Sequence, residues 1–218
     1  MVLKNGKRLI EPEPSKNMNK TWGEREIPLE LGFGFVALKE SVYLTIAEAV
    51  LTHANPFKMK SSEFREVIGY LGGRVVVGNC KISECRVANV GINTEVKLEP
   101  MHYIEAADWE SQLYMKTPSE FMVGWWHSHF IGHVFSGVDV LNHLGWQNPE
   151  TNPHAIGLVF DPQEITERNP GCVILKLEDP RMGEGSPVQT VDFVIQTSSN
   201  NRDDYLSFLK RELPQFFD

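Results

Sequence analysis

Residues 124–129 of this chain have the sequence GWWHSH, and after a spacer of six residues, residues 136–139 have the sequence SGVD. The segment 121–126 is a short apolar run of the kind that forms a buried strand, and it leads directly into the histidine pair. Side chains two residues apart on a strand project from the same face. We therefore expect His127 and His129 to present their imidazoles side by side.

A carboxylate follows the histidine pair at a distance that allows a shared metal ion. Residues 138–146 are predicted to form a short helix, from which Asp139 can fold back towards the histidines. Zinc binds imidazole nitrogen at ~2.0–2.1 Å and carboxylate oxygen at a similar distance. Three protein ligands leave one tetrahedral position for water, which is the arrangement of a catalytic zinc site rather than a structural one.

Simpler interpretations of the same residues remain open at this point. Each histidine could be an ordinary hydrogen-bonded side chain at a strand end. Ser136 and Asp139, in an S-x-x-D pattern, could form only a capping box that closes the N-terminus of a helix. The combination of all these residues after one buried strand favours the metal site.

The rest of the chain mixes strands and helices, which predicts an α/β or α+β fold with helices flanking a mixed sheet. The turn signal Gly72-Gly73 predicts a hairpin between two short strands. We expect a polar N-terminal arm at 1–26, a main domain at 27–200, and a C-terminal helix within 201–218 that packs on the domain or on a partner. Strands are predicted at 33–38, 66–71, 74–77, 82–90, 121–126, 155–160, 172–177 and 191–196, and helices at 39–54, 101–116, 138–146 and 203–213.

Composition argues against several classes of protein. The net charge of −8 makes the chain a poor general binder of nucleic acid, which needs a basic surface. No apolar run approaches the ~18 residues of a membrane span, and no apolar leader follows the N-terminus. Three cysteines are too few for a disulfide framework and indicate a reducing compartment, so a cytoplasmic location is expected. Cys80 and Cys85 lack a matching pair and are interpreted as buried small residues rather than a second metal site.

The motifs resemble the signature of the JAMM metalloprotease family, also called MPN+. Its pattern is H-[ST]-H, a spacer, then S-x-x-D, as in residues 127–129 and 136–139 here. The family's upstream glutamate segment, E-V-x-G-x-L-x-G, is similar to EVIGYLG at 66–72, and HAIGLVFDP at 154–162 resembles the strand that follows the metal helix. The resemblance covers roughly residues 30–200. It looks strongest for the deubiquitinating subunits of the proteasome lid and their archaeal relatives.

Three departures from the family pattern lie in the spacer. It has six residues where seven is usual, and it lacks a cysteine that is often found there. Phe130 also stands where the family has proline. These differences leave the expected ligands intact and affect the loop that would border the scissile bond.

The resemblance implies a fold, a cofactor and a reaction. The fold would be the MPN/JAMM type, cytidine-deaminase-like, and one catalytic Zn²⁺ would be held by His127, His129 and Asp139. Glu66 would transfer the proton of the attacking water, and Ser136 would donate to the developing oxyanion. The substrate would be the amide between the C-terminal glycine of ubiquitin, or of a ubiquitin-like modifier, and a lysine. Expected partners are such conjugates, together with a second MPN-domain subunit or the proteasome.

Two other functions stay open on the sequence. One is a non-enzymatic MPN scaffold, although such scaffolds lose ligands that are present here. The other is a JAMM-type hydrolase that acts on a sulfur-carrier protein or on a small-molecule amide. The segments 89–100 and 161–171 are predicted to be loops beside the substrate channel or plain surface loops. His133 and His143 are interpreted as loop or surface histidines, and the sequence identifies no group that would orient the metal-binding imidazoles.

Overall fold

The structure, a computed structural model, describes residues 35–92, 96–197 and 204–217. The predicted arm at 1–26 and the start of the predicted strand 33–38 lie outside these ranges. The strands are β1 (Val36–Lys39), β2 (Val67–Val76), β3 (Asn79–Val90), β4 (Phe121–Ser128), β5 (Ile156–Ile165), β6 (Pro170–Leu177), β7 (Val188–Thr190) and β8 (Phe193–Gln196). The helices are α1 (Glu40–His53), α2 (Pro100–Tyr114), α3 (Gly137–Trp146) and α4 (Tyr205–Glu212).

The described strands form one mixed sheet in the order β7-β6-β5-β4-β2-β3-β1-β8. β4 pairs in parallel with β5, and β1 pairs in parallel with both β3 and β8. The remaining neighbours are antiparallel. The predicted combination of a mixed sheet with flanking helices is confirmed, whereas the likeness to cytidine deaminases stays a prediction.

Helices α1 and α4 cover one face of the sheet. The apolar residues of α1 recur at four-residue spacing, and Val42, Ile46 and Val50 are all buried. Phe208 and Leu209 of α4 belong to the same core cluster. Among the described helices, none combines the length and the apolar character needed to cross a bilayer.

Helix α2 lies on the opposite face, where Trp109 and Leu113 pack with Tyr70 of β2 in a second, smaller cluster. This face matters for function because α3 follows β4 there. The side chains at alternate positions of β4 are therefore enclosed between the sheet and α3.

The predicted hairpin turn at Gly72-Gly73 is wrong. β2 runs continuously through both glycines, and the chain turns at Val77 and Gly78, whose φ values of 50° and 78° are those of a type I′ hairpin turn. Gly73 is needed inside the strand for a different reason. A Cβ atom there would lie 2.0 Å from the backbone oxygen of Lys81, so the glycine permits a close approach of β3 rather than a reversal.

The hairpin of β5 and β6 also differs from the prediction of a loop at 161–171. β5 continues to Ile165 and β6 begins at Pro170, and these two residues pair with each other. The turn is confined to 166–169, where the hydroxyl of Thr166 accepts hydrogen bonds from the amides of Arg168 and Asn169. Composition suggested a loop because proline and polar residues are common there, but strand pairing overrides that preference.

Candidate metal centre

The end of β4 brings the two histidines together. His127 and His129 are 3% and 6% exposed, and their ring centroids are 4.6 Å apart with the planes nearly perpendicular. Strand alternation places both rings on the face that α3 covers. The predicted pairing of the two imidazoles is therefore present in the structure.

Asp139 reaches the same point from the first turn of α3. One of its carboxylate oxygens, Oδ1, lies 3.3 Å from Nε2 of His127, and the other, Oδ2, lies 3.5 Å from Nε2 of His129. One potential ligand atom from each of the three residues lies within 4.8 Å of the other two. Ligands bound to zinc at ~2.0–2.1 Å in a tetrahedral arrangement would be about 3.3 Å apart, so both measured separations suit a shared ion.

The capping box that was an alternative explanation of Ser136 and Asp139 is also present. The backbone amide of Ser136 donates to Oδ2 of Asp139 at 2.7 Å, and the amide of Asp139 donates to the Ser136 hydroxyl oxygen at 3.3 Å. The cap does not compete with ligation, because it holds the buried carboxylate in place beside the two histidines. One pair of residues thus starts the helix and orients the candidate ligand.

His127 provides the clearest test of whether the site fits a metal. Both of its ring nitrogens are buried and have no hydrogen-bond partner. Nε2 is close to the Asp139 carboxylate but is not oriented to donate to it. An unsatisfied buried polar group costs about 1–3 kcal/mol of folding free energy. A cation that accepts the lone pair of His127 Nε2 would remove this cost. The donor set of two imidazoles and one carboxylate suits zinc.

Burial and neighbouring opposite charges have opposing effects on the pKa values of His127, His129 and Asp139. Burial lowers the pKa of His127, and the nearby Asp139 offsets only part of that effect. Burial also acts to lower the pKa of His129, but Asp139 and Glu66 outweigh it, so this pKa is raised. The pKa of Asp139 would rise through burial, but the two histidines hold it well below its usual range. The carboxylate is therefore ionised and available to a cation.

Glu66 lies beside the histidines although it precedes them by about sixty residues in the sequence. β2 begins one residue after Glu66, and Ile68 pairs with His127 in the antiparallel ladder with β4. Continuing that register by two residues places Glu66 opposite His129, on the same face of the sheet. Glu66 is 9% exposed, and its charge contributes to raising the pKa of His129. The predicted base is thus close to the predicted ligands.

Ser136 stands at the edge of the same site and is half-buried. Its hydroxyl oxygen accepts the capping hydrogen bond from Asp139. A serine hydroxyl has one donor as well as its acceptor lone pairs, so the O–H remains available to a substrate oxygen.

Sequence reasoning missed the groups that hold His129. Its Nδ1 lies 3.4 Å from the backbone oxygen of Gly132, and the amide of Gly132 donates to Oδ2 of Asp161 at 2.8 Å. Oδ1 of Asp161 accepts from the amide of Gln163 at 2.9 Å. Asp161, 2% exposed, therefore ties the loop after β4 to the middle of β5. A carbonyl at Nδ1 favours the tautomer that leaves Nε2 free for a metal.

A second buried network lies behind His127. The ring of Trp125 stacks on His127 with centroids 4.7 Å apart, and its indole N–H donates to Nδ1 of His143 at 3.0 Å. Because indole can only donate, Nε2 of His143 carries the proton and donates to Oε1 of Gln147. Gln147 in turn bonds both the amide and the carbonyl of Leu177 on β6. The strand alternation of Trp125 with His127 was visible in the sequence, but its partners were not.

The interpretation of His143 as a loop or surface residue is wrong. The side chain is completely buried, and burial lowers its pKa to about 4. Its position four residues after Asp139 puts it on the inner side of α3 rather than on the solvent side. Both ring nitrogens take part in the network, so His143 supports the site and is not a further ligand.

Phe135 completes the wall beside the imidazoles. Its ring stacks on Trp125 with centroids 5.8 Å apart and contacts His143 at 5.2 Å. The ring occupies the space above Gly157 of β5, where an added Cβ atom would lie 2.4 Å from the Phe135 ring. A glycine at 157 is therefore required for the aromatic side chain to reach the site.

Phe130, which replaces the proline of the family pattern, packs its ring against Phe64 with centroids 5.1 Å apart. Phe64 is buried and lies two residues before Glu66. The aromatic contact joins the loop after the histidines to the segment that leads into β2. Where the family pattern has a conformationally rigid proline, this chain thus has a phenylalanine that is held by packing against Phe64.

The cysteines do not form a second metal site among the described residues. His127, His129 and Asp139 are the one group there with suitably close ligand atoms. All three cysteines are free, and burial raises the pKa of Cys80 and of Cys85 to about 12. Thiols with such pKa values stay protonated and bind metals weakly at neutral pH.

One protein-family model matches the chain, over residues 36–152, and its description is JAB1/Mov34/MPN/PAD-1 ubiquitin protease. The matched region is more than half of the 218 residues and contains Glu66, Ser136 and the three candidate ligands. A search of the curated proteins found no significant relative.

Proposed function

The chain belongs to the JAB1/Mov34/MPN/PAD-1 family, and we propose that it is a zinc-dependent isopeptidase. Its substrate would be the amide that joins the C-terminal glycine of ubiquitin, or of a ubiquitin-like modifier, to a lysine. Family membership alone fits either a deubiquitinase-like enzyme or an MPN scaffold. The observation that carries the enzymatic proposal is the buried group of His127, His129 and Asp139 with Glu66 beside it.

In this proposal His127, His129 and Asp139 hold one zinc ion. Bound zinc supplies Lewis acidity, which lowers the pKa of a water ligand to about 7 and polarises a carbonyl oxygen. Asp139 contributes negative charge to the buried site, and its capping bond with Ser136 keeps the carboxylate oriented.

Glu66 moves the proton. It accepts a proton from the attacking water as the water oxygen bonds to the glycine carbonyl carbon. It then delivers that proton to the lysine nitrogen as the C–N bond breaks, so the products are a carboxylic acid and an amine. The buried position of Glu66, directly before β2, limits its movement between these two steps.

Ser136 stabilises the negative charge that develops on the carbonyl oxygen. Its O–H is available because the capping bond uses the hydroxyl oxygen only as an acceptor. Loss of a single donor of this kind costs about 2.7–4 kcal/mol in transition-state stabilisation.

A protein substrate and a protein partner are part of the same proposal. Helix α2 exposes apolar side chains, including Met101, Tyr103 and Ile104, each at least 59% exposed. Such a surface supports a second MPN-domain subunit or the proteasome as a partner. We place this activity in the cytoplasm, where ubiquitin-like conjugates and free thiols are both found.

The decisive experiment measures cleavage of a modifier joined to lysine through its terminal glycine, with zinc content determined on the same samples. Wild type, chelator-treated wild type and Glu66→Gln are compared. Glu63→Gln is the matched control, because Glu63 is an exposed carboxylate three residues away. The proposal expects cleavage by wild type and by Glu63→Gln, and loss of cleavage with chelator. In Glu66→Gln it expects only a residual rate, about 10²- to 10⁴-fold below wild type.

Other outcomes identify the alternatives. Cleavage that persists at the wild-type rate in Glu66→Gln would remove that residue from the mechanism. Wild type that binds zinc but cleaves only a sulfur-carrier tail or a small amide would replace the substrate. If the wild-type protein neither bound zinc nor cleaved any of these substrates, the non-enzymatic scaffold would be the function that remains.

A further inference from the structure

We propose that Ser128, the residue between the two histidines, is a positioning residue whose hydroxyl holds Glu66 in place. The inference rests on the proposed function, because it assigns a role relative to the proton transfer by Glu66. It concerns a side chain that cannot itself reach the metal or the substrate.

Ser128 faces away from the candidate ligands. Strand alternation turns its side chain to the face opposite His127 and His129. It is completely buried, so it meets no solvent and no substrate. A small polar side chain in such a place must have its hydroxyl satisfied internally.

The partner of the hydroxyl is the first residue of β2. The amide of Val67 donates to Oγ of Ser128 at 2.9 Å, a bond between residues that are 61 positions apart. The pairing of β2 with β4 begins one residue later, at Ile68 and His127. Where the backbone pairing of β2 with β4 stops, the serine side chain therefore accepts the next hydrogen bond, immediately beside Glu66.

Glu66 is then held from both neighbouring strands. On one side its backbone oxygen accepts a hydrogen bond from the amide of Gly91 at 2.7 Å, just after β3 ends. On the other side the Ser128 hydroxyl holds the next amide in the chain, that of Val67. With both bonds made, the backbone at Glu66 cannot rotate freely, and its carboxyl stays opposite His129.

Removing the hydroxyl would leave the amide of Val67, which is completely buried, without this partner. The chain before β2 would then shift to satisfy the amide, and Glu66 would move with it. A misplacement of about 1 Å in a catalytic group can lower the rate by about 100-fold. His127 lies on β4, His129 directly follows it and Asp139 lies on α3. None of these ligands is on the segment before β2 that would shift, so zinc binding should change little.

The test is a double-mutant cycle on cleavage of the modifier–lysine conjugate at saturating zinc. It compares wild type, Ser128→Ala, Glu66→Gln and the double variant, with Ser128→Thr as the variant that keeps the hydroxyl. Ser83→Ala is the control for loss of a serine hydrogen bond elsewhere in the sheet, since the Ser83 hydroxyl donates to Glu120. Zinc affinity and amide hydrogen exchange at Val67 are measured for each protein.

We expect Ser128→Ala to lower the cleavage rate by about 10- to 100-fold. The same variant should retain its zinc affinity within about threefold and speed up exchange of the Val67 amide. Ser128→Thr should recover most of the rate, and Ser83→Ala should behave as wild type. In the double variant, Ser128→Ala should slow the reaction no further than Glu66→Gln alone, because Ser128 acts through Glu66.

Several results would overturn the inference. If Ser128→Ala cleaved the conjugate and exchanged the Val67 amide at the same rates as wild type, the hydroxyl would have no positioning role. Rate losses that multiply in the double variant, or a loss of zinc in Ser128→Ala, would show a general structural role instead. Absence of cleavage by zinc-loaded wild type would instead overturn the proposed function, and with it this role of Ser128.

Discussion

Removing the metal should lower the melting temperature of this protein by about 8–16 °C. Without the metal, the buried Nε2 of His127 has no partner, and a single unsatisfied group of this kind costs about 1–3 kcal/mol. A ligand that binds only the folded state at about 1,000 times its Kd stabilises that state by about 4 kcal/mol. For a chain of 150–250 residues, each kcal/mol shifts the melting temperature by about 2–4 °C, which gives the stated range.

The assay is thermal unfolding of the same preparation after chelation and after addition of zinc in known excess. Asp139→Asn tests the ligand set, because the amide oxygen can still accept the capping bond while the charged ligand is lost. We expect that variant to fold and to lose most of the zinc-dependent shift. His154→Ala changes a histidine outside the site and should keep the full shift.

Equal melting temperatures with and without zinc would refute the reasoning. They would mean that the three side chains contact one another in a metal-free site and that the unpartnered nitrogens of His127 are tolerated. A shift of the same size in Asp139→Asn would place the zinc elsewhere in the chain.

Three further outcomes follow from the residues around the site. Burial lowers the pKa of His143 from 6.5 to about 4, so between pH 4 and pH 6.5 the unfolded chain binds more protons than the folded one. The free energy of unfolding should therefore fall by about 3 kcal/mol as the pH drops from 6.5 to 4. In His143→Gln the free energy of unfolding, measured against pH, should change less over this range. Gly157→Ala should displace Phe135 and cost about 1–3 kcal/mol in denaturant unfolding, whereas Gly145→Ala on α3, with open space around it, should be neutral or slightly stabilising. Asp161→Asn should weaken zinc binding about 10- to 100-fold in a competition titration, and an unchanged affinity would show that the loop needs no anchor.

Local sequence patterns could predict the ligands because their geometry depends on near neighbours. Two residues on a strand share a face whatever the strand packs against, so His127 and His129 had to be neighbours once 121–128 formed a strand. The capping box likewise involves Ser136 and Asp139 within one helical turn. These interactions span at most a few residues and need no knowledge of the rest of the fold.

Patterns of equal local strength misled where the tertiary structure used the same residues differently. The pair Gly72-Gly73 looks like a turn, but Gly73 serves the close approach of β3, and the chain turns five residues later at Val77 and Gly78. His143 looked peripheral because nothing near it in sequence shows that Trp125 and Gln147 enclose it.

The sequence by itself determined the fold class, the family resemblance and the group of three candidate ligands. Only the tertiary structure decided what surrounds that group: Glu66 opposite His129, the amide of Val67 on Ser128, and Asp161 on the loop after β4. Each of these contacts depends on strand order and register, which join segments 29 to 63 positions apart. Register is set by the packing of whole strands against a shared core, so no short stretch of sequence contains it.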